Sequence, residues 1–382
     1  MMDVWLPLIM IVTVCVYAVM MIRWFIGWNL DFRSINTDHS MPHFRVTVVV
    51  AVRNEAERIV ALLGTLSGQR YSKDLYEIII SDDFSEDDTL RLVREFISQN
   101  QSGVSVRLVQ PEASSPTGKK AALDRAIAVS EGEIILTTDA DCEMSNDWLA
   151  AMTNCFRDSQ VNMAAGWVRL RSGRSLFSQL QAFEFLSLAG TTAATLISDF
   201  PLMCNGANLA FRKTAYLKFR KSGYGTDVPS GDDTFFMLHT AAESSGSVVF
   251  CHRREAIVTS ETVDTFRDFI AQRIRWAGKV KLYREWRVKF TGLIVLLTNL
   301  ILVVLPFMAM AGLLSVTFAV SLWTVKLIAD ILLLMKSAAF ADQRKLLWLF
   351  LPASILYPFY QVLIGMISIL RPRYHWKNRQ WK

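Results

Sequence analysis

The longest stretch of this chain without a charged side chain covers residues 291–325, and it restricts that part of the chain to a membrane. It contains no Asp, Glu, Lys or Arg. One membrane-spanning helix needs about 20 apolar residues, so this stretch is too long for a single span. We therefore predict two membrane helices that fold back near residues 310–313.

A second apolar segment covers residues 4–28, where Arg23 is the only charged side chain. Because no small-residue cleavage site follows it, we predict a retained membrane helix rather than a signal peptide. Arg23 and Arg33 lie towards its far side, and positive charge favours the cytoplasmic side of a span. The domain that follows is therefore expected in the cytoplasm.

The last apolar segment covers residues 346–370 and completes one N-terminal and about three C-terminal membrane helices, as in a multi-pass protein of the cell membrane. Three full crossings after a cytoplasmic domain place the basic tail, residues 371–382, on the far side, against the charge tendency. The sequence leaves three explanations open. The last segment re-enters the membrane, one earlier stretch is not a full span, or the tendency does not hold here.

Lys326 and Asp330 lie four residues apart in the second helix of the predicted hairpin. A charge inside a span costs roughly 2.5–3.5 kcal/mol on insertion scales. We expect these two side chains to pair within the helix, near the cytoplasmic boundary.

Strands and helices alternate over residues 46–138. Buried-type strands are predicted over 46–52, 76–81, 104–109 and 133–138, with helices near 56–66, 86–97 and 119–129. This alternation predicts an α/β fold with a parallel, doubly wound sheet. Ligands of such sheets bind outside the carboxyl ends of the strands.

Polar side chains follow three of these strands, at Asn54, Asp83 and Asp139. The two carboxylates of Asp139-Ala140-Asp141 are one residue apart and can converge on a hard divalent cation, Mg²⁺ or Mn²⁺. Taken singly, Asp82-Asp83 is explained equally well as a turn that caps the next helix. Two acidic pairs on one sheet edge favour a nucleotide site.

Seven short segments occur in a specific order along the chain. They are residues 48–55, Ser81-Asp82-Asp83, residues 117–123 (Thr-Gly-Lys-Lys-Ala-Ala-Leu), Asp139-Ala140-Asp141, Gly206-Ala207-Asn208, Gly231-Asp232-Asp233 and Gln272-Arg273-Ile274-Arg275-Trp276. Together they resemble the motifs of membrane-bound family 2 glycosyltransferases, which have a GT-A fold and include cellulose, hyaluronan and poly-N-acetylglucosamine synthases. The resemblance covers residues 45–281. It departs at Gly231-Asp232-Asp233, where the synthases often read Thr-Glu-Asp.

The resemblance implies a role for each motif. Asp233 is the expected general base, with Asp232 as the alternative, and direct attack on the anomeric carbon implies inversion. Asp139 and Asp141 are expected to hold the divalent cation. The residues expected at the nucleotide sugar are Ala51, Arg53, Asn54, Glu55, Asp83, Lys119 and Asp139. Those expected at the acceptor or the diphosphate are Gly206, Asn208, Gln272, Arg275 and Trp276.

Residues 266–290 combine basic and aromatic side chains, the composition of a helix that lies in the membrane interface. As an anchor, this segment needs only charge and aromatic bulk. As part of the active site, Arg275 suits a diphosphate because its guanidinium is a planar fork, and Trp276 suits an acceptor sugar. Both functions can hold together.

The predicted plan is an N-terminal membrane helix (1–28), a cytoplasmic GT-A domain (40–265), an interfacial helix (266–290), membrane helices (291–370) and a basic tail (371–382). Three functions fit it. The leading one transfers a sugar from a UDP-sugar to a membrane-associated glycan, the second adds one sugar to a polyprenyl phosphate, sphingolipid or glycerolipid, and the third is a nucleotide-binding membrane scaffold without turnover. Because the basic charge concentrates at membrane-facing segments, nucleic acid is not an expected partner.

Overall fold

The computed structural model describes residues 2–29, 43–225, 228, 231–370, 374–376 and 379–381. The chain divides into two compact units. The helical unit comprises residues 1–30, 172–194 and 262–382, and the sheet unit comprises residues 31–171 and 195–261. Arg33 and half of the basic tail (residues 371–373, 377, 378 and 382), which carried part of the topology prediction, lie outside the described residues.

The regular elements are numbered along the chain. The strands are β1 (Val46–Val52), β2 (Tyr76–Asp82), β3 (Ser105–Val109), β4 (Ile134–Thr138), β5 (Glu143–Met144), β6 (Met163–Ala165), β7 (Val168–Leu170), β8 (Leu209–Arg212), β9 (Val248–Phe250), β10 (Val258–Ser260), β11 (Tyr374–Trp376) and β12 (Arg379–Trp381). The helices are α1 (Met2–Asn29), α2 (Ile59–Ser67), α3 (Thr89–Gln99), α4 (Lys119–Val129), α5 (Trp148–Thr153), α6 (Leu176–Ile197), α7 (Lys213–Ser222), α8 (Asp232–Glu243), α9 (Phe266–Ala277), α10 (Trp286–Met310), α11 (Val316–Phe340) and α12 (Phe350–Leu370).

The main sheet of the sheet unit confirms the predicted mostly parallel α/β arrangement. Over the described residues it has seven strands, in the order β3-β2-β1-β4-β8-β6-β9. The first four strands are parallel to one another, whereas β8 is antiparallel to both β4 and β6. β1 lies in the middle of the parallel part because its β-branched apolar run tolerates burial on both faces.

Strand register brings three strand ends together. Val52 of β1 pairs with Asp82 of β2, and Val50 of β1 pairs with Thr138 of β4. The residues that follow β1, β2 and β4 therefore leave the sheet at one edge, side by side. A second, three-stranded sheet in the order β5-β10-β7 adds the end of β10 to the unit.

The helical unit contains the apolar helices. Among the described residues, five helices are long and apolar enough to cross a membrane by length and composition: α1, α6, α10, α11 and the stretch Arg344–Leu370 that includes α12. The predicted hairpin is confirmed, because α10 ends at Met310 and α11 begins at Val316, with Gly312 at φ +71° in the turn. α6 was not predicted from the sequence. Of its most apolar 18 residues, 67% are buried, against 22–33% in the other four helices.

The basic aromatic segment, residues 266–290, was predicted as one helix and is divided between two helices. α9 ends at Ala277 and α10 begins at Trp286, with a 3₁₀ turn at Val280–Leu282 between them. The basic aromatic residues are therefore shared between two helices, and the Gln-x-x-Arg-Trp motif lies at the end of α9.

Lys326 and Asp330 form the predicted pair, with 2.5 Å between Nζ and Oδ2. Tyr17 of α1 donates a hydrogen bond to the other carboxylate oxygen, at 2.6 Å. The pair lies near the middle of α11. Lys326 lies ten residues, or about 15 Å, from the start of α11 at Val316 and still further from its other end. The pair is tolerated in mid-helix because Tyr17 completes its hydrogen bonding.

Candidate active site

The site is built on the carboxyl edge of the parallel strands in the sheet unit. Asp83 follows β2, is buried and accepts a hydrogen bond from the backbone N–H of Gly118 at 2.7 Å. Gly118 has φ +105°, a conformation that L side chains rarely adopt. Asp83 thereby fixes the loop from which α4 begins, and α4 starts with Lys119 and Lys120.

The first lysine of α4 reaches the Asp-x-Asp segment. Lys119 Nζ forms an ion pair with Asp139 Oδ1. Burial lowers the pKa of Lys119, but attraction to Asp139 and the hydrogen bond with it outweigh burial, so the net shift raises the pKa. Lys119 is therefore a full positive charge held at the end of β4.

The second lysine reaches the start of α8. Lys120 Nζ lies 3.1 Å from Asp232 Oδ1 and donates a hydrogen bond to the carbonyl oxygen of Gly225 at 2.9 Å. Burial raises the pKa of Asp232 to about 6, while Lys120 opposes that rise and Asp233 adds to it. Asp232 is thus an acid that titrates near neutral pH.

Asp233 is held differently from its neighbour. Its Oδ2 accepts the backbone N–H of Gly206 at 2.9 Å, and its Oδ1 accepts the N–H of Thr234 at 2.8 Å. The carbonyl of Gly206 accepts in turn from the hydroxyl of Thr137 in β4, at 2.9 Å. The Gly206 loop therefore links Asp233 to the strand that ends at Asp139.

Asp141 is fixed by the second sheet. Its Oδ2 accepts a hydrogen bond from the hydroxyl of Ser260, the last residue of β10, at 2.8 Å. Burial raises the pKa of the neighbouring Cys142 thiol, and the charges of Asp139 and Asp141 raise it further. Cys142 is therefore a neutral thiol near two carboxylates. Ser260 was not predicted from the sequence, because β10 has only three residues.

Asn208, for which the resemblance implies an acceptor role, lies inside the sheet unit. It is fully buried, and its Oδ1 accepts from Trp148 Nε1 at 2.9 Å. Its Nδ2 donates to the carbonyl oxygens of Trp167, at 2.9 Å, and Ala256, at 2.7 Å. Both amide protons are used within the protein, so the side chain joins strands and loops of the sheet unit.

The residues after β1 form the outer part of the edge. Arg53 donates to the carbonyl of Asp83 at 3.2 Å and lies 3.5 Å from Glu86, while the Asn54 side chain accepts from the N–H of Glu86 at 2.8 Å. A cavity of about 280 Å³ is lined by Asn54, Glu55, Ala56, Glu57, Arg58 and Asp87. None of Asp83, Lys119 or Asp139 lines it, so this cavity alone does not enclose a whole nucleotide sugar. Ala51 is half-buried within β1 itself.

The remaining predicted residues, Gln272, Arg275 and Trp276, lie on α9 of the helical unit. Trp276 packs near Phe185 of α6, with 6.1 Å between ring centroids. The intervening Arg273, which the motif leaves unspecified, is buried and contacts both Gln272 and Trp276. Its burial could not be predicted, since α6 was not predicted either.

The Asp-x-Asp residues fit a divalent cation in the chemistry of their donors. Both side chains present hard oxygen atoms, and Lys119 already places a positive charge on Asp139. Among the described residues there is no group of three or more His, Cys, Asp or Glu side chains arranged for a metal ion. Mg²⁺ is usually bound through one or two carboxylates together with substrate phosphates, so two carboxylates are the protein contribution that such a site requires.

Residues 42–279 match the family model described as "Glycosyltransferase like family 2". A β-monoglucosyldiacylglycerol synthase from Trichormus variabilis is 29% identical over 116 residues, which are 30% of this chain and 24% of that protein. A hyaluronan synthase from Streptococcus pyogenes is 24% identical over 277 residues, 69% of this chain and 64% of that protein. The chain therefore spans less than two thirds of the length of these curated relatives.

A solved structure shares the fold. The mannosyltransferase PcManGT from Pyrobaculum calidifontis, in complex with GDP-Man and Mn²⁺, is 18% identical, and the superposition covers 96% of this chain and 97% of that chain with a TM-score of 0.59. This likeness agrees with the mostly parallel seven-stranded sheet and the apolar helices. Since the family match covers well over half of the chain, the protein belongs to the glycosyltransferase-like family 2, with a GT-A-like α/β fold.

Proposed function

We propose that this protein transfers a sugar, with inversion, from a nucleotide-sugar donor to a membrane-associated glycan acceptor. One observation carries the proposal. The two consecutive lysines at the start of α4 contact two different acids, Lys119 with Asp139 and Lys120 with Asp232. A single helix start thus joins the Asp-x-Asp segment, proposed for the metal, to the acidic start of α8, proposed for the base.

The donor is assigned to the edge formed by the ends of β1, β2 and β4. Lys119 and the N-terminal turn of α4 present positive charge, which suits a diphosphate. The diphosphate of the donor would compete with Asp139 for Lys119. Donor binding would therefore release the Asp139 carboxylate for a cation. The nucleotide is proposed to be UDP, from the family resemblance, and PcManGT, which was solved with GDP-Man, makes GDP the alternative.

The divalent cation, Mg²⁺ or Mn²⁺, is assigned to Asp139 and Asp141. When bound, it supplies Lewis-acid stabilisation of the charge on the departing diphosphate. Ser260 fixes one oxygen of Asp141 and thereby orients the carboxylate. The presence of Mn²⁺ in the PcManGT complex supports this assignment.

Asp233 is proposed as the general base. Two backbone N–H groups, from Gly206 and Thr234, hold its carboxylate in one orientation. In that orientation it would take the proton from the acceptor hydroxyl as that oxygen attacks the anomeric carbon. Asp232 is the alternative base, because its raised pKa of about 6 lies nearer to working pH. Against it, Asp232 lies within 3.1 Å of Lys120.

The acceptor side is proposed to involve α9. Arg275 is assigned to the diphosphate, and Gln272 and Trp276 to the acceptor. The second candidate function is addition of one sugar to a lipid, which the match to a β-monoglucosyldiacylglycerol synthase favours. In both cases the protein is proposed to lie in the cell membrane with its sheet unit in the cytoplasm, so that a lipid-held acceptor meets a soluble donor.

This proposal is tested with membranes that contain the protein. They are incubated with Mn²⁺ and a panel of radiolabelled UDP-sugars plus GDP-mannose. Labelled product is separated into lipid-soluble and polymeric fractions, which distinguishes the two acceptor classes. We expect one UDP-sugar to be turned over, and we expect excess chelator or Asp141→Ala to abolish turnover.

Asp147→Ala is the matched control. Asp147 is also an aspartate of the sheet unit, but it is half-buried and forms an ion pair with the exposed Arg70, away from Asp139 and Asp141 in the chain. Its substitution should leave turnover unchanged. Turnover that persists in chelator and in folded Asp141→Ala protein would exclude metal-assisted departure of the nucleotide, and turnover of GDP-mannose alone would overturn the choice of UDP.

A further inference from the structure

Arg273 lies within the Gln-x-x-Arg-Trp motif, at a position that the motif does not specify. Its side chain is only 4% exposed, although it carries a permanent charge. It forms a forked ion pair with Glu184 of α6: Nε lies 3.1 and 2.9 Å from the two carboxylate oxygens, and Nη2 lies 2.5 Å from Oε2. A buried charge persists only when it is paired and hydrogen-bonded, and Glu184 meets that need.

The guanidinium of Arg273 lies between two aromatic rings. Its central carbon is 4.4 Å from the ring centroid of Phe269 and 4.5 Å from that of Trp276. Its third nitrogen, Nη1, donates a hydrogen bond to the side-chain oxygen of Gln272. One side chain thus contacts two of the three defining residues of the motif.

Glu184 is itself fixed from α12. The hydroxyl of Tyr360 donates to Glu184 Oε1 at 2.9 Å, and the Tyr360 ring stacks on Phe269 at 5.8 Å between centroids. Tyr360 of α12 therefore contacts the two residues, Glu184 of α6 and Phe269 of α9, that hold the guanidinium. Lysine cannot replace arginine here, because one ammonium point charge cannot bond Glu184 and Gln272 and also lie flat between two rings.

We propose that Arg273 is a positioning residue for acceptor transfer, which orients the Gln272 amide and the Trp276 ring and is itself oriented by Glu184 and Tyr360. This inference rests on the proposed function, in which Gln272 and Trp276 serve the acceptor. Arg273 does not touch substrate. It acts by limiting the orientations of two side chains that do.

The functional test compares Arg273→Lys with Arg267→Lys, an exposed arginine on the same helix. Purified protein is assayed for binding of UDP and for transfer from the active UDP-sugar to a total membrane-lipid extract of the producing cells. Misplacement of a positioning group by about 1 Å costs on the order of 100-fold in rate. We expect Arg273→Lys to lower transfer about 10- to 100-fold without changing the affinity for UDP. Arg267→Lys should leave both transfer and UDP affinity unchanged.

A second readout follows Trp276 directly. In protein labelled with 5-fluorotryptophan, the ¹⁹F resonance that disappears in Trp276→Phe identifies this ring among the 11 tryptophans of the chain. Arg273→Lys should shift or broaden that resonance, and Glu184→Gln and Tyr360→Phe should do so to a smaller degree. These milder variants keep the test valid if Arg273→Lys does not fold.

The outcomes separate this inference from the function on which it rests. Wild-type protein that binds no UDP and transfers no sugar overturns the proposed function before any variant is compared. If the wild type is active, an unmoved Trp276 resonance, or a moved resonance with wild-type transfer, overturns the role of Arg273. Loss of transfer together with a moved resonance supports it.

Discussion

Asp232 is expected to make the stability of the sheet unit depend on pH. Burial raises its pKa from the ordinary 3.8 to about 6, despite the opposing charge of Lys120. The native state therefore favours the protonated acid. This contribution to stability is fully present below the unfolded pKa of 3.8 and is lost as pH rises through about 6.

The expected magnitude follows from the size of the shift. One pKa unit corresponds to 1.36 kcal/mol, so a rise from 3.8 to about 6 costs about 3 kcal/mol once Asp232 is fully ionised. By the same linkage about half of that cost is already present at pH 5. Replacement by Asn removes the titration, because an amide stays neutral throughout. Between pH 5 and 7.5, Asp232→Asn should therefore gain about 1.4 kcal/mol relative to the wild type.

Urea unfolding in mild detergent, followed by tryptophan fluorescence, measures this difference, since Trp148 and Trp167 are buried in the sheet unit. Any effect of the substitution that does not depend on pH cancels when the differences at the two pH values are compared. Asp147→Asn, at a half-buried position paired with the exposed Arg70, is the control, and its unfolding free energy should run parallel to that of the wild type. Unfolding free energies of Asp232→Asn and wild type that differ by the same amount at pH 5 and pH 7.5 would refute the burial argument.

Two further predictions concern catalysis and the helical unit. Asp233→Asn should lower turnover by roughly two or more orders of magnitude, as expected for a general base, with UDP affinity nearly intact; a large loss in Asp232→Asn with a mild one in Asp233→Asn would reverse the assignment. Asp330→Asn should lower the free energy of unfolding by about 3–5 kcal/mol, because it leaves Lys326 buried without its charge partner. The double change Lys326→Met with Asp330→Leu should recover most of that loss in the same urea unfolding assay, and a double variant no more stable than the single one would contradict this explanation.

The parallel half of the fold could be predicted because each strand carries its own signal. β1, β2 and β4 are continuous apolar runs that end in polar residues, and the structure has all three within one residue of the predicted bounds. The hairpin of α10 and α11 was predictable for a similar reason, since an uncharged run of that length has few alternatives. Local sequence suffices where the residues of an element bury themselves by their own pattern.

Short strands and α6 escaped prediction because tertiary contacts define them. β8 and β10 have four and three residues, too few to show a period of two. α6 contains Glu184, which interrupts its apolar pattern and whose partners Arg273 and Tyr360 lie 89 and 176 positions further along the chain. The burial of Asn208 was not predictable for the same reason, because its three partners come from separate parts of the sequence.

Two buried clusters in the helical unit establish the relative directions of three apolar helices. The first joins Met10 and Val14 of α1 with Leu302 and Leu305 of α10 and Ala319 and Leu322 of α11. The second joins Tyr17 and Ala18 with Ile294 and Ala329. From the first cluster to the second, residue numbers rise in α1 and α11 and fall in α10. α1 and α11 are therefore parallel, and α10 is antiparallel to both. Successive full crossings require helices that alternate in direction along the chain, and α1, α10 and α11 do so. This packing is what three spans of one bundle would show, while the side on which the basic tail lies stays a prediction.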